Sequence, residues 1–186
     1  LADGIGELLG GCVRNTAYLP PEQQTWRLQP NGGGVVWDRT LHDLDLLRFL
    51  LHLPVRAVYG HSGRSTLAAA VEDDLLGHAL LAGGLAIGLY DSFLQPHAPV
   101  RVELYGTRGA LAATACAPGD QGAELLLRRG DDVQLVPLPS INAWRAGVAN
   151  FLAAVRGAAP ALATGADELY NLAAATAMHR SLQDGS

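Results

Sequence analysis

Asp38 and His42 are the two residues in this sequence whose types and spacing best fit acid–base chemistry. They lie at the start of a stretch with apolar residues at helical spacing, directly after the triplet Gly32-Gly33-Gly34. Residues four apart share a helix face, so the carboxylate and the imidazole can point the same way. A carboxylate fixes the tautomer and the basicity of a neighbouring imidazole, as a general base requires. The spacing therefore predicts a catalytic His42 that Asp38 orients.

Other interpretations of this helix stay open. Asp38, His42 and Asp45 share a face with Phe49, which an ordinary solvated polar face would also give, although a phenylalanine is unusual there. The same residue types bind metals, but no second histidine stands at helical spacing. The dipeptide His42-Asp43 also resembles that of the HD phosphohydrolases, which need further ligands on other helices. We expect no metal site.

A second group of polar residues is predicted to bind substrate. Asp91 and His97 lie in or just after a predicted strand, and we expect them to form a wall opposite the helix. Trp26, Arg27 and Arg39 are expected to contact a hydroxyl-rich or acidic ligand. All five residue types are also common at ordinary surface positions.

The composition indicates one folded domain spanning residues 1–186. The chain is 49% hydrophobic and 17% charged, with a net charge of -5 and no basic block. Nucleic acid and membranes are therefore poor partners, and no apolar run reaches the roughly 20 residues of a membrane span. Cys12 and Cys116 are expected to be reduced thiols of a cytoplasmic protein. Since the chain begins at Leu1 and its one methionine is Met178, we expect part of a longer, truncated protein.

The elements that must position these residues follow from hydrophobic periodicity. A strand is predicted at residues 5–18 and a helix at 37–51. The strand-like segments that follow are separated by turn residues and span 55–64, 73–81, 85–93, 100–105, 110–114, 123–128 and 133–138. Two helices, at 142–156 and from 165 to about 182, close the chain, the last with Thr164 and Asp167 as a capping box. This order predicts an α+β fold, an open, mainly antiparallel β-sheet with helices packed on one face.

No dinucleotide-binding fingerprint is predicted. The spacing Gly4-x-Gly6-x-x-x-Gly10 is superficially similar, but only three residues precede it and the following residues are strand-like. The chemistry needs a strand before the first glycine and a helix after the last. We therefore expect this chain alone to bind no cofactor.

Several segments, taken in order, resemble the C-terminal domain of one oxidoreductase family, the glucose–fructose oxidoreductase / inositol dehydrogenase / rhizopine-catabolism (Gfo/Idh/MocA) family. The segments are Gly4-Ile5-Gly6-Glu7, Trp26-Arg27 followed by Gly32-Gly33-Gly34, Asp38-Arg39-Thr40-Leu41-His42-Asp43-Leu44-Asp45, Val71-Glu72-Asp73-Asp74 followed by Leu81-Ala82-Gly83-Gly84, and Glu103-Leu104-Tyr105-Gly106-Thr107-Arg108-Gly109. The third segment resembles the family motif D-x-G-x-H-x-x-D, with Thr40 in place of the glycine.

The resemblance implies a substrate-binding and dimerising domain of an NAD- or NADP-dependent sugar or polyol dehydrogenase. In that family the residues matching Asp38 and His42 lie beside the nicotinamide, and the histidine takes the hydroxyl proton as hydride leaves. The family's dinucleotide-binding domain and its lysine are upstream of this chain, so we expect the chain alone to be inactive. The resemblance also implies a homodimer or tetramer through the sheet face. The alternative is a non-catalytic module for sheet-mediated dimerisation or small-molecule binding.

The missing fingerprint makes a prediction about cofactor affinity. Titration calorimetry of the 186-residue chain with NAD+ or NADP+ should give no binding at micromolar cofactor, because no strand–glycine–helix unit is present to hold the pyrophosphate. The control is the full-length protein, which should bind. Micromolar affinity of the isolated chain would contradict the prediction.

Overall fold

A computed structural model of the chain describes residues 2–63, 66–67, 70–115 and 122–185. Cys116 lies outside them. The helices and strands are α1 (Ala2–Ile5), β1 (Leu8–Thr16), α2 (Leu41–Leu51), β2 (Val55–His61), β3 (Asp74–Leu81), β4 (Ala86–Ser92), β5 (Arg101–Gly106), β6 (Gly109–Thr114), β7 (Glu124–Arg129), β8 (Asp132–Val136), α3 (Ala143–Val155) and α4 (Gly165–Asp184). A π-helical turn, Val36–Thr40, leads directly into α2.

The sheet has eight strands in the order β2-β3-β4-β1-β5-β6-β7-β8. Every neighbouring pair is antiparallel except β1 and β4, which run parallel. This confirms the predicted α+β class. The first strand is shorter than predicted. Residues 2–5 are helical, and Gly6, with φ 80°, turns the backbone before β1 begins.

Helices α2 and α4 cover one face of the sheet over its first half. Their apolar side chains Leu44, Leu47 and Met178 are fully or almost fully buried against core residues such as Leu75 and Leu89. The leucines of the predicted helix therefore face the sheet, as their 3–4 spacing indicates. Between them, α2 and α4 leave the β5–β8 half of this face without a packed helix.

Charged side chains fasten α2 to α4. Asp45 Oδ1 accepts hydrogen bonds from Asn171 Nδ2 at 2.7 Å and from Arg48 at 2.8 Å. Arg48 also pairs with Asp167 at 2.9 Å, at the start of α4. Asp167 and Thr164 form the predicted capping box. The two helices are thus held together by polar contacts at one end and by apolar packing along their length.

Helix α3 is different, because its apolar side chains have little cover. Trp144 is 76% exposed and Val155 is 70% exposed, and Val148 and Phe151 are also exposed. The 3–4 spacing predicts an amphipathic helix, and the structure forms it, capped by Asn142. A helix with such a stripe normally buries it against another element.

Glu72 holds the beginning of the π-helical turn. Its carbonyl oxygen accepts from Val35 N at 3.0 Å, and its Oε1 accepts from Val36 N at 3.2 Å. Gly34, with φ 103°, brings the backbone so close that a Cβ there would collide with the Glu72 carboxylate. Burial raises the pKa of Glu72. The glycine triplet is therefore the place where the chain passes closely over this carboxyl group.

This capping contact gives a stability prediction. Glu72→Ala should lower the free energy of unfolding by about 0.5–2 kcal/mol, the usual loss when a helix N-terminus loses its side-chain acceptor. Glu72→Gln should lose less, because an amide oxygen can still accept from Val36 N. Urea denaturation of the two variants measures the difference, and equal losses would contradict the capping role.

Candidate functional site

A cavity of about 840 Å³ lies between α2 and the β5–β7 part of the sheet. One wall is polar and belongs to the start of the helix, and the opposite wall is apolar and belongs to the sheet. The residues around it are Asn15, Asp38, Arg39, His42, Asp43, Asp45, Leu46, Phe49, Leu50, Val100, Val102, Leu104, Leu111, Ala113, Leu125 and Trp144.

Asp38 is held by an ion pair with Arg27. Arg27 Nε donates to Asp38 Oδ1 at 2.9 Å, and the guanidinium lies over the Trp26 ring, 4.7 Å from its centroid. The Asp38 side chain is 15% exposed, so the pair is only partly screened by water. Trp26 and Arg27 thus support the cavity wall from behind Asp38 and are absent from the lining itself.

His42 lies on the same wall, one turn further along. Its side chain is exposed and, among the contacts of the described residues, makes no hydrogen bond to Asp38. The π-helical turn explains this geometry, since its i→i+5 bonds widen the turn and relax the i,i+4 stacking of an α-helix. π-Turns inside helices occur often at functional sites. The imidazole is therefore left available to a molecule in the cavity.

Arg39 lies at the base of this wall. Its Nη1 donates to Asn15 Oδ1 at 3.1 Å, and the guanidinium lies 5.3 Å from the centroid of the Phe93 ring. Burial lowers the pKa of Arg39, and the carboxyl groups of Asp38, Asp91 and Asp43 oppose that effect. Arginine remains a cation at neutral pH even so.

Two buried carboxyl groups, Asp43 and Asp91, lie behind Arg39. Asp43 Oδ1 accepts from Asn15 Nδ2 at 2.9 Å, and Asp91 Oδ2 accepts a short hydrogen bond from the Thr40 hydroxyl. Burial raises the pKa of both carboxyl groups, most strongly that of Asp43, to which the neighbouring Asp91 also contributes. Thr40, the departure from the family's glycine, is completely buried and uses its hydroxyl to connect the helix to β4.

The apolar wall comes from alternate residues of three strands. Val102 and Leu104 on β5 pair with Ala113 and Leu111 on β6, so all four side chains point to the helix face of the sheet. Trp144 of α3 lies at the edge of the cavity. A site with one polar and one apolar wall suits a ligand that carries both hydroxyl groups and C–H faces.

The structure brings together only part of the predicted site. Asp38, Arg39 and His42 line one cavity. Asp91, predicted to face substrate, is completely buried below the wall, because β4 turns its side chain toward the helix. His97 is exposed in the turn after β4, away from the lining.

Three polar or aromatic lining residues, Asn15, Asp43 and Trp144, were not predicted as site residues from the sequence. Asn15 is on a strand whose pattern carries no functional signal, and Trp144 was visible only as part of an amphipathic helix. Asp43 is adjacent to His42 in the same motif, and a polar residue on the leucine side of that helix was the available signal.

Other site classes find no support in the described residues. Gly4 lies in α1, Gly6 follows it and Gly10 lies in β1, so a helix precedes the strand, the reverse of a dinucleotide-binding order. Within the ranges that the structure describes, no group of three potential metal-ligating side chains is present. None of the described helices has the length and apolar character needed to cross a membrane.

Comparison with known proteins gives a consistent family. Residues 2–112 match the family model described as the GFO/IDH/MocA C-terminal domain. A curated relative, 1,5-anhydro-D-fructose reductase of Ensifer adhaerens, is 31% identical over 189 residues, which cover 100% of this chain and 57% of the relative. The chain therefore spans little more than half the length of that relative.

Solved structures agree on the fold. A putative NADPH-dependent oxidoreductase from Desulfitobacterium hafniense superposes with a TM-score of 0.85 at 19% identity, covering 100% of this chain and 57% of that one. A putative myo-inositol dehydrogenase from Sinorhizobium meliloti 1021 superposes with a TM-score of 0.74 at 25% identity, covering 99% and 57%. With its motif order, its sheet and these matches, the chain belongs to the Gfo/Idh/MocA family of oxidoreductases, as its C-terminal domain.

Proposed function

We propose that this domain binds a sugar or polyol and supplies the general base of an NAD(P)-dependent dehydrogenase. The observation that carries the proposal is the convergence of Asp38, Arg39 and His42 on one wall of a cavity of about 840 Å³. The substrate class is also that of the relatives' names, a 1,5-anhydro-D-fructose reductase and a putative myo-inositol dehydrogenase.

The pairing of the charged side chains at this wall supports an uncharged substrate. Each cation at this wall already has a carboxylate partner: Arg27 has Asp38, and Arg39 faces Asp43 and Asp91. Among the described lining residues, no cation is therefore left without a carboxylate to bind a phosphate or a sugar acid. The polar atoms of Asn15 and the Asp38 carboxylate suit neutral hydroxyl groups instead.

His42 would act on the reacting hydroxyl. Oxidation of a secondary alcohol removes a hydride and a proton, and NAD(P)+, when bound, would supply the hydride acceptor. A ring nitrogen of neutral His42 takes the hydroxyl proton, so the C–H and O–H bonds break and the C=O bond forms without a build-up of charge on oxygen. Asp38, fixed by Arg27, favours the imidazolium that results through its negative charge.

The lining residues would contact only a small part of a bound cofactor, and another part of the protein would bind the rest. The apolar wall of Val102, Leu104 and Leu111 offers a surface for a ring but no backbone cradle for phosphates. A dinucleotide needs such a cradle at a helix N-terminus. It is expected in the portion of the relatives' length that this chain does not span.

The alternative, a non-catalytic module for sheet-mediated dimerisation or small-molecule binding, would be favoured if His42 were buried in a dimer interface with no cavity. An exposed His42 that lines a cavity instead favours the catalytic interpretation. We also propose that residues 1–186 form a single domain of a cytoplasmic enzyme. Trp26 and Arg27 would contribute to substrate binding through Asp38. Asp91 would contribute through Thr40 and Arg39, and the exposed His97 only if another part of the protein closes over it.

Substitution of His42 tests the catalytic proposal. In the full-length protein with NAD(P), His42→Ala should lower kcat by about 10²–10⁴, the usual contribution of a general base. The matched control is His61→Ala, which removes an exposed imidazole on β2 that is not part of the cavity lining. A kcat for His42→Ala within a few-fold of the parent, measured with saturating polyol, would overturn the assignment.

We further propose that two copies associate through the sheet face opposite the helices, here named the open sheet face. It carries exposed apolar side chains on four strands: Tyr59, Leu76, Leu80, Tyr105 and Leu135. The sequence suggested the stretches 85–89 and 125–127 for this role. Of these, Ala86 and Leu126 lie on the open sheet face, whereas the larger share points to the helix side: Leu85, Ile87, Leu89, Leu125 and Leu127. A monomer seldom leaves such a broad apolar face in water.

A charge placed on the open sheet face tests this association. Leu76→Arg should shift the protein toward monomer in sedimentation equilibrium. Leu76 is 65% exposed on this face, and dimerisation would bury the charge of the arginine that replaces it. Leu169→Arg is the control, since Leu169 is 70% exposed on α4. A parent that is already monomeric at tens of micromolar would count against the proposal.

A further inference from the structure

A buried polar cluster lies below the cavity wall. Asn15 on β1 and Asp91 on β4 are directly paired in the parallel part of the sheet, and Thr40 and Asp43 approach them from the helix. Thr40 and Asp91 are 0% exposed and Asp43 is 3% exposed. Bulk water therefore does not solvate these groups, and their hydrogen bonds must be made within the protein.

The hydrogen-bond accounting leaves two oxygens over. Asp43 Oδ1 accepts from Asn15, and Asp91 Oδ2 accepts from Thr40. Among the described residues, Asp43 Oδ2 and Asp91 Oδ1 are both buried and have no donor. Asn15 is paired with Asp91 in register and also donates to Asp43, so the two carboxyl groups are close neighbours that interact directly. Two carboxylates repel, whereas an acid and a carboxylate form a strong hydrogen bond that uses both oxygens.

Charge leads to the same conclusion. Of the charged groups that act on this pair, Arg39 is the cation that faces both carboxyl groups, and Asn15 and Thr40 are neutral. Two ionised aspartates would leave one negative charge in excess beside a single guanidinium. A buried excess charge costs several kcal/mol, so binding a proton is the cheaper state.

We propose that Asp43 and Asp91 share one proton at neutral pH, held on Asp43 and donated to Asp91, and that this carboxyl pair positions Arg39 and the turn that carries Asp38. The pair binds Asn15, which accepts from Arg39, and Thr40, which belongs to the π-helical turn. With Asp43 protonated, the pair carries one negative charge, which balances the positive charge of Arg39. The effect on the reaction rests on the proposed function, but the shared proton does not.

The sign of the pH dependence follows from the raised pKa of Asp43. The folded chain keeps a proton that the unfolded chain releases above its ordinary aspartate pKa of about 4. Unfolding then releases one proton, so stability from this site is complete below that pH and falls as the pH rises toward the folded pKa. The unfolding equilibrium constant should increase tenfold per pH unit in that window, relative to a variant without the proton.

Infrared spectroscopy of the 186-residue chain tests the shared proton directly. At pH 7 the parent should show the C=O band of a buried carboxylic acid, which is separate from the carboxylate bands. Asp43→Asn and Asp91→Asn should each abolish it, because an amide then supplies the donor and the remaining carboxyl group ionises. Asp131→Asn, in the exposed β7–β8 turn, should keep it.

Stability against pH provides the second measurement. The ratio of the unfolding constants of parent and Asp43→Asn should rise tenfold per pH unit above about pH 4. A band that disappears only in Glu72→Gln would overturn the proposal, since Glu72 would then hold the proton. So would a folded parent without the acid band at pH 7, whatever the activity of the full-length protein.

Discussion

The parallel pairing of β1 with β4 is the contact on which the site depends. It sets Asn15 beside Asp91 in register, although 76 residues separate them along the chain. Both side chains point to the helix face, where Thr40, Arg39 and Asp43 meet them. Because parallel strands need a long connection, the chain between them is free to contribute the π-helical turn and α2. The pairing thus fixes the helix start against the centre of the sheet.

Electrostatic pairing explains why so many charges can gather at this point. Asp38 is matched by Arg27, and Arg39 by the carboxyl groups below it. Buried charges are tolerated only when each finds an opposite charge or a hydrogen bond. The pairs leave the wall nearly neutral, and none of the hydrogen bonds or ion pairs seen among the described residues involves the His42 side chain on the same wall. The wall therefore carries little net charge and presents one imidazole to the cavity.

The apolar surfaces follow the same division of the sheet. Where α2 and α4 pack, the helix face is a closed core around residues such as Leu47 and Leu89. Over β5–β7 the face forms the apolar wall of the cavity, and α3 keeps Trp144 and Phe151 exposed. Exposed apolar area of this size is typical of surfaces that contact another domain or subunit. This agrees with a chain that spans 57% of the length of its curated relative.

The sequence by itself determined most of the elements and the placement of Asp38 and His42 at the start of a helix. Alternation gave the strands, 3–4 spacing gave α2, α3 and α4, and the pair Thr164 and Asp167 marked the start of α4, because these signals act between near neighbours. Asp38 and His42 were also predictable, since they belong to one short motif. Strand order was not predictable, because periodicity says which face a residue occupies but not which strand lies beside it.

Only the tertiary structure decided which distant groups meet. It buried Asp91 below the wall instead of facing it to substrate, joined it to Thr40 and Asp43, and gave Asp38 an arginine partner in place of His42. It also selected the π-turn, which Glu72 holds from a distant loop. These outcomes depend on burial and on contacts between residues far apart in the chain, where desolvation and pairing outweigh local helix geometry.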